Sequence, residues 1–122
     1  MRWMLVGVGA ALGGMLRLAF AQQWNQATSV IPVGTLMANV LGGLLMGLVM
    51  GWSGHMSAEW RWFLATGFLG GLTTFSTFSA ETVTLLQMER WGWAGTLVLL
   101  HVLTTLLATG LGWWLAQSWS VS

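Results

Sequence analysis

The chain has 122 residues, of which 56% are hydrophobic and only 6% charged: four arginines, three glutamates, no lysine and no aspartate. A water-soluble domain carries about a quarter of its residues as charged side chains, so an ordinary globular surface is excluded. The absence of cysteine excludes a disulfide scaffold and a thiolate metal site, and a net charge of +1 provides no electrostatic footprint for nucleic acid.

The charges leave uncharged windows at 3–16, 18–58, 62–80 and 91–122. A helix that crosses a bilayer needs about 20 mostly apolar residues. The polar cluster Gln22, Gln23, Asn25 and Gln26 separates a first helix from the long second window. Four spans follow, at about 3–21, 32–52, 62–88 and 93–116, within one transmembrane domain covering residues 1–122. All ten tryptophans fall at or beyond the ends of these spans, where an amphipathic indole favours the headgroup level.

In the first span, Arg2, a hydrophobic run and Ala19-Phe20-Ala21 imitate a signal peptide with a small-residue cleavage site. Arg17 lies close before that site, and Gly9, Gly13 and Gly14 form a packing face, so the helix is expected to be retained. Arg17 either snorkels to the far interface or stands in a vestibule that draws anions, with Glu81 as its evident counter-charge.

In the second span, Thr35, Asn39, Gly43, Gly47 and Gly51 recur at intervals of four, flanked by Gly42. Small residues at this spacing let backbones approach closely in lipid, whether between subunits or within one chain. Four helices do not readily enclose a pathway, so a transport function favours the surface between subunits. An amide at mid-membrane is costly unless paired, so Asn39 either joins helices or faces a wet, polar path.

The third span carries Gly67-Phe68-Leu69-Gly70-Gly71-Leu72-Thr73-Thr74-Phe75-Ser76-Thr77-Phe78-Ser79-Ala80-Glu81. Paired glycines before β-branched and hydroxyl residues fit an interrupted helix, and equally a continuous helix with a tight glycine contact. An interruption would expose carbonyls, a hard-oxygen site suited to Na⁺. Phe75 and Phe78 share a face, with Glu81 one turn on. Phenyl edges are electropositive and can stabilise a small anion without trapping it, although both rings would serve as well in plain packing.

Thr74, Ser76, Thr77 and Ser79 offer further hydroxyl donors. In the fourth span, His101, Thr105 and Thr109 recur at i, i+4 and i+8 as one polar stripe. A single hydroxyl often bonds only to its own helix, and one histidine without nearby carboxylates or thiols makes no metal site. Arg2 and Arg61 lie on one side of the four spans, Arg90 on the other, and Arg17 nearest to Arg90. The bias that orients membrane proteins is close to zero, which permits insertion both ways and an antiparallel dimer; a single orientation set by a partner is the alternative.

These residues resemble the Fluc (CrcB) fluoride channels over nearly the whole chain. The matching pieces are Gly13-Gly14 with Arg17, Pro32-Val33-Gly34-Thr35-Leu36 with Asn39 and Gly42, and the highly specific run from Gly67 to Phe78. The resemblance implies an all-α membrane protein of four helices, the third broken near its centre. It implies a dual-topology antiparallel homodimer in the bacterial inner membrane, a passive fluoride-selective channel and not an enzyme. Fluoride that enters as the neutral acid and is trapped in the cytoplasm would leave through it.

Carried over by motif position, Asn39, Phe75, Phe78, Ser76, Thr77, His101, Thr105 and Thr109 fall on the fluoride pathway, with Arg17 and Glu81 as charged supports. The backbone carbonyls of Gly70 and Thr73 would hold a structural Na⁺ that is not transported. Departures include Leu69 where Cys is common, Leu18 where an aromatic often follows the Arg, and Thr for Ser in the fourth helix. A small proton-coupled multidrug exporter would share the size and the weak orientation, but it calls for a carboxylate in the first span, which here has only Arg17. A purely structural membrane protein gives no reason for Thr-Thr-Phe-Ser-Thr-Phe after the glycines.

Overall fold

A computed structural model describes residues 1–25 and 31–121, among which helices are the regular elements and no strand occurs. Helix α1 spans Arg2–Trp24 and closes at Asn25, whose backbone N–H donates to the Ala21 carbonyl. Of the polar cluster expected to end the first span, Gln22 and Gln23 are inside α1, Asn25 caps it, and Gln26 lies outside the described residues. Helix α2, Val33–Trp52, starts after Pro32, whose missing N–H and fixed φ suit a helix entrance.

A 3₁₀ turn, Ser53–His55, leads to α3, Ala58–Arg61, where the Ser57 hydroxyl accepts from Trp60 N–H at 3.3 Å as an N-cap. The chain continues without a gap as a π-helix, Trp62–Leu69, and then as α4, Gly70–Leu72. Thr73 and Thr74 are extended (φ −84°, ψ 152° and φ −149°, ψ 122°), and helix resumes as α5, Phe75–Gln87. Helix α6 covers Trp91–Val121.

Among the described residues, three helices are long and apolar enough to cross a membrane: Arg2–Trp24, Val33–His55 and Trp91–Trp119. The third expected span, 62–88 with a break near its centre, consists of two helical pieces, 58–72 and 75–87, separated by the extended threonines. The glycines are not where helix stops: Gly70 is helical (φ −61°, ψ −36°), and no glycine has a positive φ. Their use is close packing. A Cβ on Gly71 would overlap the Ala10 carbonyl, and one on Gly13 would overlap that of Phe68, so α1 and the 58–72 segment meet backbone to backbone.

The same holds between α2 and α6. A Cβ on Gly47 would overlap the Thr109 carbonyl, and Gly43 faces Thr105 and Thr109. The small-residue stripe of α2 is therefore closed by α6 within one chain, and it does not present these glycines to a second subunit. In lipid, where water gives no drive to bury apolar surface, close backbone approach strengthens dispersion between helices. Ala38, Leu69 and Leu72 form a buried cluster between α2 and the 58–72 segment; Phe78, Leu85, Ala94 and Leu97 form another between α5 and α6. Large apolar side chains such as Met15, Leu99, Leu103 and Leu107 face outward, as do Trp3, Trp60, Trp91 and Trp119 near helix ends. Such an outer surface suits hydrocarbon, with indoles near the headgroups.

Candidate functional site

The interruption between α4 and α5 is organised by one side chain from α2. Asn39, 7% exposed, accepts from Thr74 N–H at its Oδ1 (2.8 Å) and donates from Nδ2 to the Thr74 carbonyl (3.2 Å). It replaces both helical partners of Thr74, so the N–H and the carbonyl of that extended residue are satisfied outside a helix. Thr74 also starts α5: its hydroxyl accepts from Thr77 N–H at 3.1 Å and lies within bonding reach of the Thr77 and Ser76 hydroxyls.

These bonds free particular carbonyls. In an uninterrupted helix, Thr74 N–H would donate to Gly70 and Thr77 N–H to Thr73. Here the first goes to Asn39 and the second to the Thr74 hydroxyl, so the carbonyls of Gly70 and Thr73 lose their helical donors. The carbonyl of Gly71, between them, accepts from Arg17 Nε at 3.0 Å. A cation-bearing side chain at the C-terminal end of a helix segment also meets the negative end of its dipole.

A groove of about 300 Å³ opens at this place, lined by Asn39, Thr73, Thr74, Phe75, Phe78, His101, Val102, Thr105 and Leu106. Phe78, 7% exposed, stacks on the His101 ring with centroids 4.5 Å apart. Phe75, 77% exposed, meets Phe78 edge-on at 5.4 Å and 77°. His101 is 4% exposed; its Nδ1 lies 3.2 Å from Asn39 Nδ2, and its Nε2 is buried with no hydrogen-bond partner among the described residues.

The structure thus brings Asn39, Thr73, Phe75, Phe78, His101 and Thr105 to one groove. Ser76 and Thr77 lie beside it, with their hydroxyls turned to Thr74. Thr109 does not share it: its hydroxyl donates to the Thr105 carbonyl at 3.0 Å and packs on Gly43, because that part of the α6 stripe is covered by α2. Arg17 and Glu81 form no ion pair. Glu81 Oε2 accepts from the Thr35 hydroxyl at 3.1 Å, and Thr35 is itself bonded through hydroxyl and N–H to the Asn25 amide (2.9 and 3.1 Å). The second carboxylate oxygen, Oε1, is buried and without a partner among the described residues.

Sequence reasoning missed Asn25 and Thr35 as the polar environment of Glu81, and it gave Thr74 no more weight than its neighbouring hydroxyls. A Thr three residues before a helical N–H is an N-cap pattern and was the available signal for Thr74. Nothing in the spacing signals Asn25, which at the end of α1 bonds Thr35 in the first turn of α2.

Apolar spans, backbone-to-backbone glycine contacts and an amide-held interruption define a multi-pass helical membrane protein in which Asn39, Thr74 and His101 meet at one groove. Residues 4–113 match the model of the CrcB-like protein, Camphor Resistance (CrcB), family, and the chain belongs to that family. A protein of Cupriavidus necator named fluoride-specific ion channel FluC is 52% identical over 112 residues, 89% of each chain. Proteins of the same name from Cupriavidus taiwanensis (51% over 112 residues, 89% of each chain) and Psychrobacter arcticus (52% over 118 residues, 93% of this chain and 95% of the other) are similarly related.

Proposed function

We propose that this chain is a fluoride-specific ion channel that passively releases cytoplasmic fluoride across the bacterial inner membrane. The reading is carried by the groove beside Thr74, where two phenyl rings, an amide and an imidazole meet without a fixed positive charge, in a chain about half identical to proteins named for this activity. An anion small enough to enter such a groove is stabilised by ring edges and N–H or O–H donors, and it leaves readily because no cation traps it. The activity is conduction and not catalysis of a reaction.

The pieces 58–72 and 75–87 are read as one broken span, so that four spans form a single domain. Two copies in opposite orientation would place two such spans at a common centre, and the near-absence of charge bias supports insertion both ways. Phe75, so largely exposed in one chain, then has a second copy to meet. A structural, non-transported Na⁺ is proposed between the copies on the carbonyls of Gly70 and Thr73. The loss of both carbonyls' helical donors supports the fit, since hard carbonyl oxygens suit Na⁺. The pathway residues are Asn39, Phe75, Phe78, Ser76, Thr77, His101 and Thr105, with Thr109 supporting Thr105 from behind and Arg17 and Glu81 at the flanks.

Liposomes loaded with fluoride test the reading. Purified protein is expected to release fluoride rapidly and to retain chloride, with no need of a proton gradient. Equal loss of chloride, or dependence on a proton gradient, would overturn it.

A further inference from the structure

The partners of Asn39 leave it no freedom of orientation. A backbone N–H only donates and a backbone carbonyl only accepts, so Thr74 fixes which end of the amide is oxygen and which is nitrogen. One amide hydrogen goes to the Thr74 carbonyl, and the other points at His101 Nδ1. Facing a donor, Nδ1 acts as the acceptor, and a neutral imidazole that accepts at Nδ1 carries its hydrogen on Nε2. That nitrogen is buried without a partner among the described residues, on a ring that lines the groove and stacks on Phe78.

We propose that Asn39, locked by the backbone of Thr74, is a positioning residue that sets His101 in the Nε2–H tautomer and so leaves one N–H donor available beside Phe78 for an anion in the groove. Both amide hydrogens of Asn39 are engaged in this arrangement, so that, although Asn39 lines the proposed pathway, its added part here is to position His101. A buried donor without a partner costs free energy in the empty protein, and an anion that accepts from it recovers that cost. The nature of the anion rests on the proposed function; the tautomer does not.

The test is ¹⁵N NMR of histidine-labelled protein in lipid. The chain has two histidines, so a His55→Gln variant assigns the His101 signals. Wild-type protein is expected to carry the His101 hydrogen on Nε2. Asn39→Asp, which offers Nδ1 only acceptors, is expected to move it to Nδ1. A wild-type Nδ1–H tautomer, or an unchanged Nε2–H tautomer in Asn39→Asp, overturns the proposal.

Should Asn39→Asp fail to fold, the His101 variants decide. The side-chain N–H of His101→Gln can reach the Nε2 position, whereas that of His101→Asn reaches only the Nδ1 position. Fluoride efflux is expected to be largely retained by the first and reduced at least about tenfold by the second, the worth of one hydrogen bond to a charged group. Equal loss in both overturns the proposal. Wild-type protein that passes no fluoride overturns the proposed function instead, and the tautomer measurement then decides the positioning role alone.

Discussion

At the scale of single residues, the groove separates side chains that touch it from those that hold it. Phe78 is fixed between the His101 ring and the edge of Phe75, whereas Phe75 has little of the chain around it. Replacing either ring by isoleucine keeps apolar bulk and removes the electropositive edge. Fluoride efflux by Phe75→Ile and Phe78→Ile is expected to fall at least about tenfold, the scale of one lost polar contact, with the protein still assembled; unchanged efflux in both variants would place the pathway elsewhere. A second residue is legible only in the structure. Glu89 closes α5 with φ 59°, with Arg90 N–H bonded to Leu85 O and Glu89 N–H to Leu86 O, the pattern of a Schellman turn. A side chain with a Cβ is strained there, so Glu89→Gly is expected to stabilise the protein by about 0.5–1 kcal/mol in a denaturation titration in detergent.

At the scale of helices, spacing gave the periodicity of contacts without their partners. The stripe Thr35, Asn39, Gly43, Gly47, Gly51 lies on one face of α2, but that face is divided: Asn39 meets Thr74, while Gly43 and Gly47 meet α6. Gly47→Leu is expected to separate α2 from α6 and cost about 2 kcal/mol or more, because its Cβ would overlap a backbone carbonyl that cannot turn aside. Loss of folded protein at lower denaturant checks this, and unchanged stability would refute the intrachain packing. Thr74 works at the same scale as the N-cap of α5. Thr74→Val should destabilise by about 1 kcal/mol, the worth of a cap, and should also disturb the groove. Paired glycines drew attention to the third span, yet the extended backbone falls at the threonines after them. β-branched residues tolerate extended backbone well, and Asn39 supplies the bonds that helix would have given.

At the scale of the whole molecule, the outer surface and the charge placement belong together. A cysteine-free chain permits a single cysteine to be added at the Gly54 link, which has open space around it. If the protein inserts both ways, impermeant thiol reagent applied to one side of a cell membrane should label about half of the sites, as a near-zero arginine bias predicts; labelling from one side only would refute dual orientation. The proposed carbonyl site makes a separate prediction: exchange of Na⁺ for a larger monovalent cation should reduce fluoride efflux, and indifference would count against it.

The sequence by itself determined the apolar surroundings, the helical class and the residue types offered to an anion. Those follow from hydropathy, the positions of seven charges and ten tryptophans, and a specific run of glycines, threonines and phenylalanines. Only the tertiary structure decided which polar groups are engaged and by whom. Arg17 goes to the Gly71 carbonyl and not to Glu81, Thr109 bonds its own helix, and Asn39 holds Thr74 and faces His101. The physical reason is that hydropathy is a property of each residue, whereas a buried hydrogen bond is satisfied by whatever the packing of distant helices brings within about 3 Å.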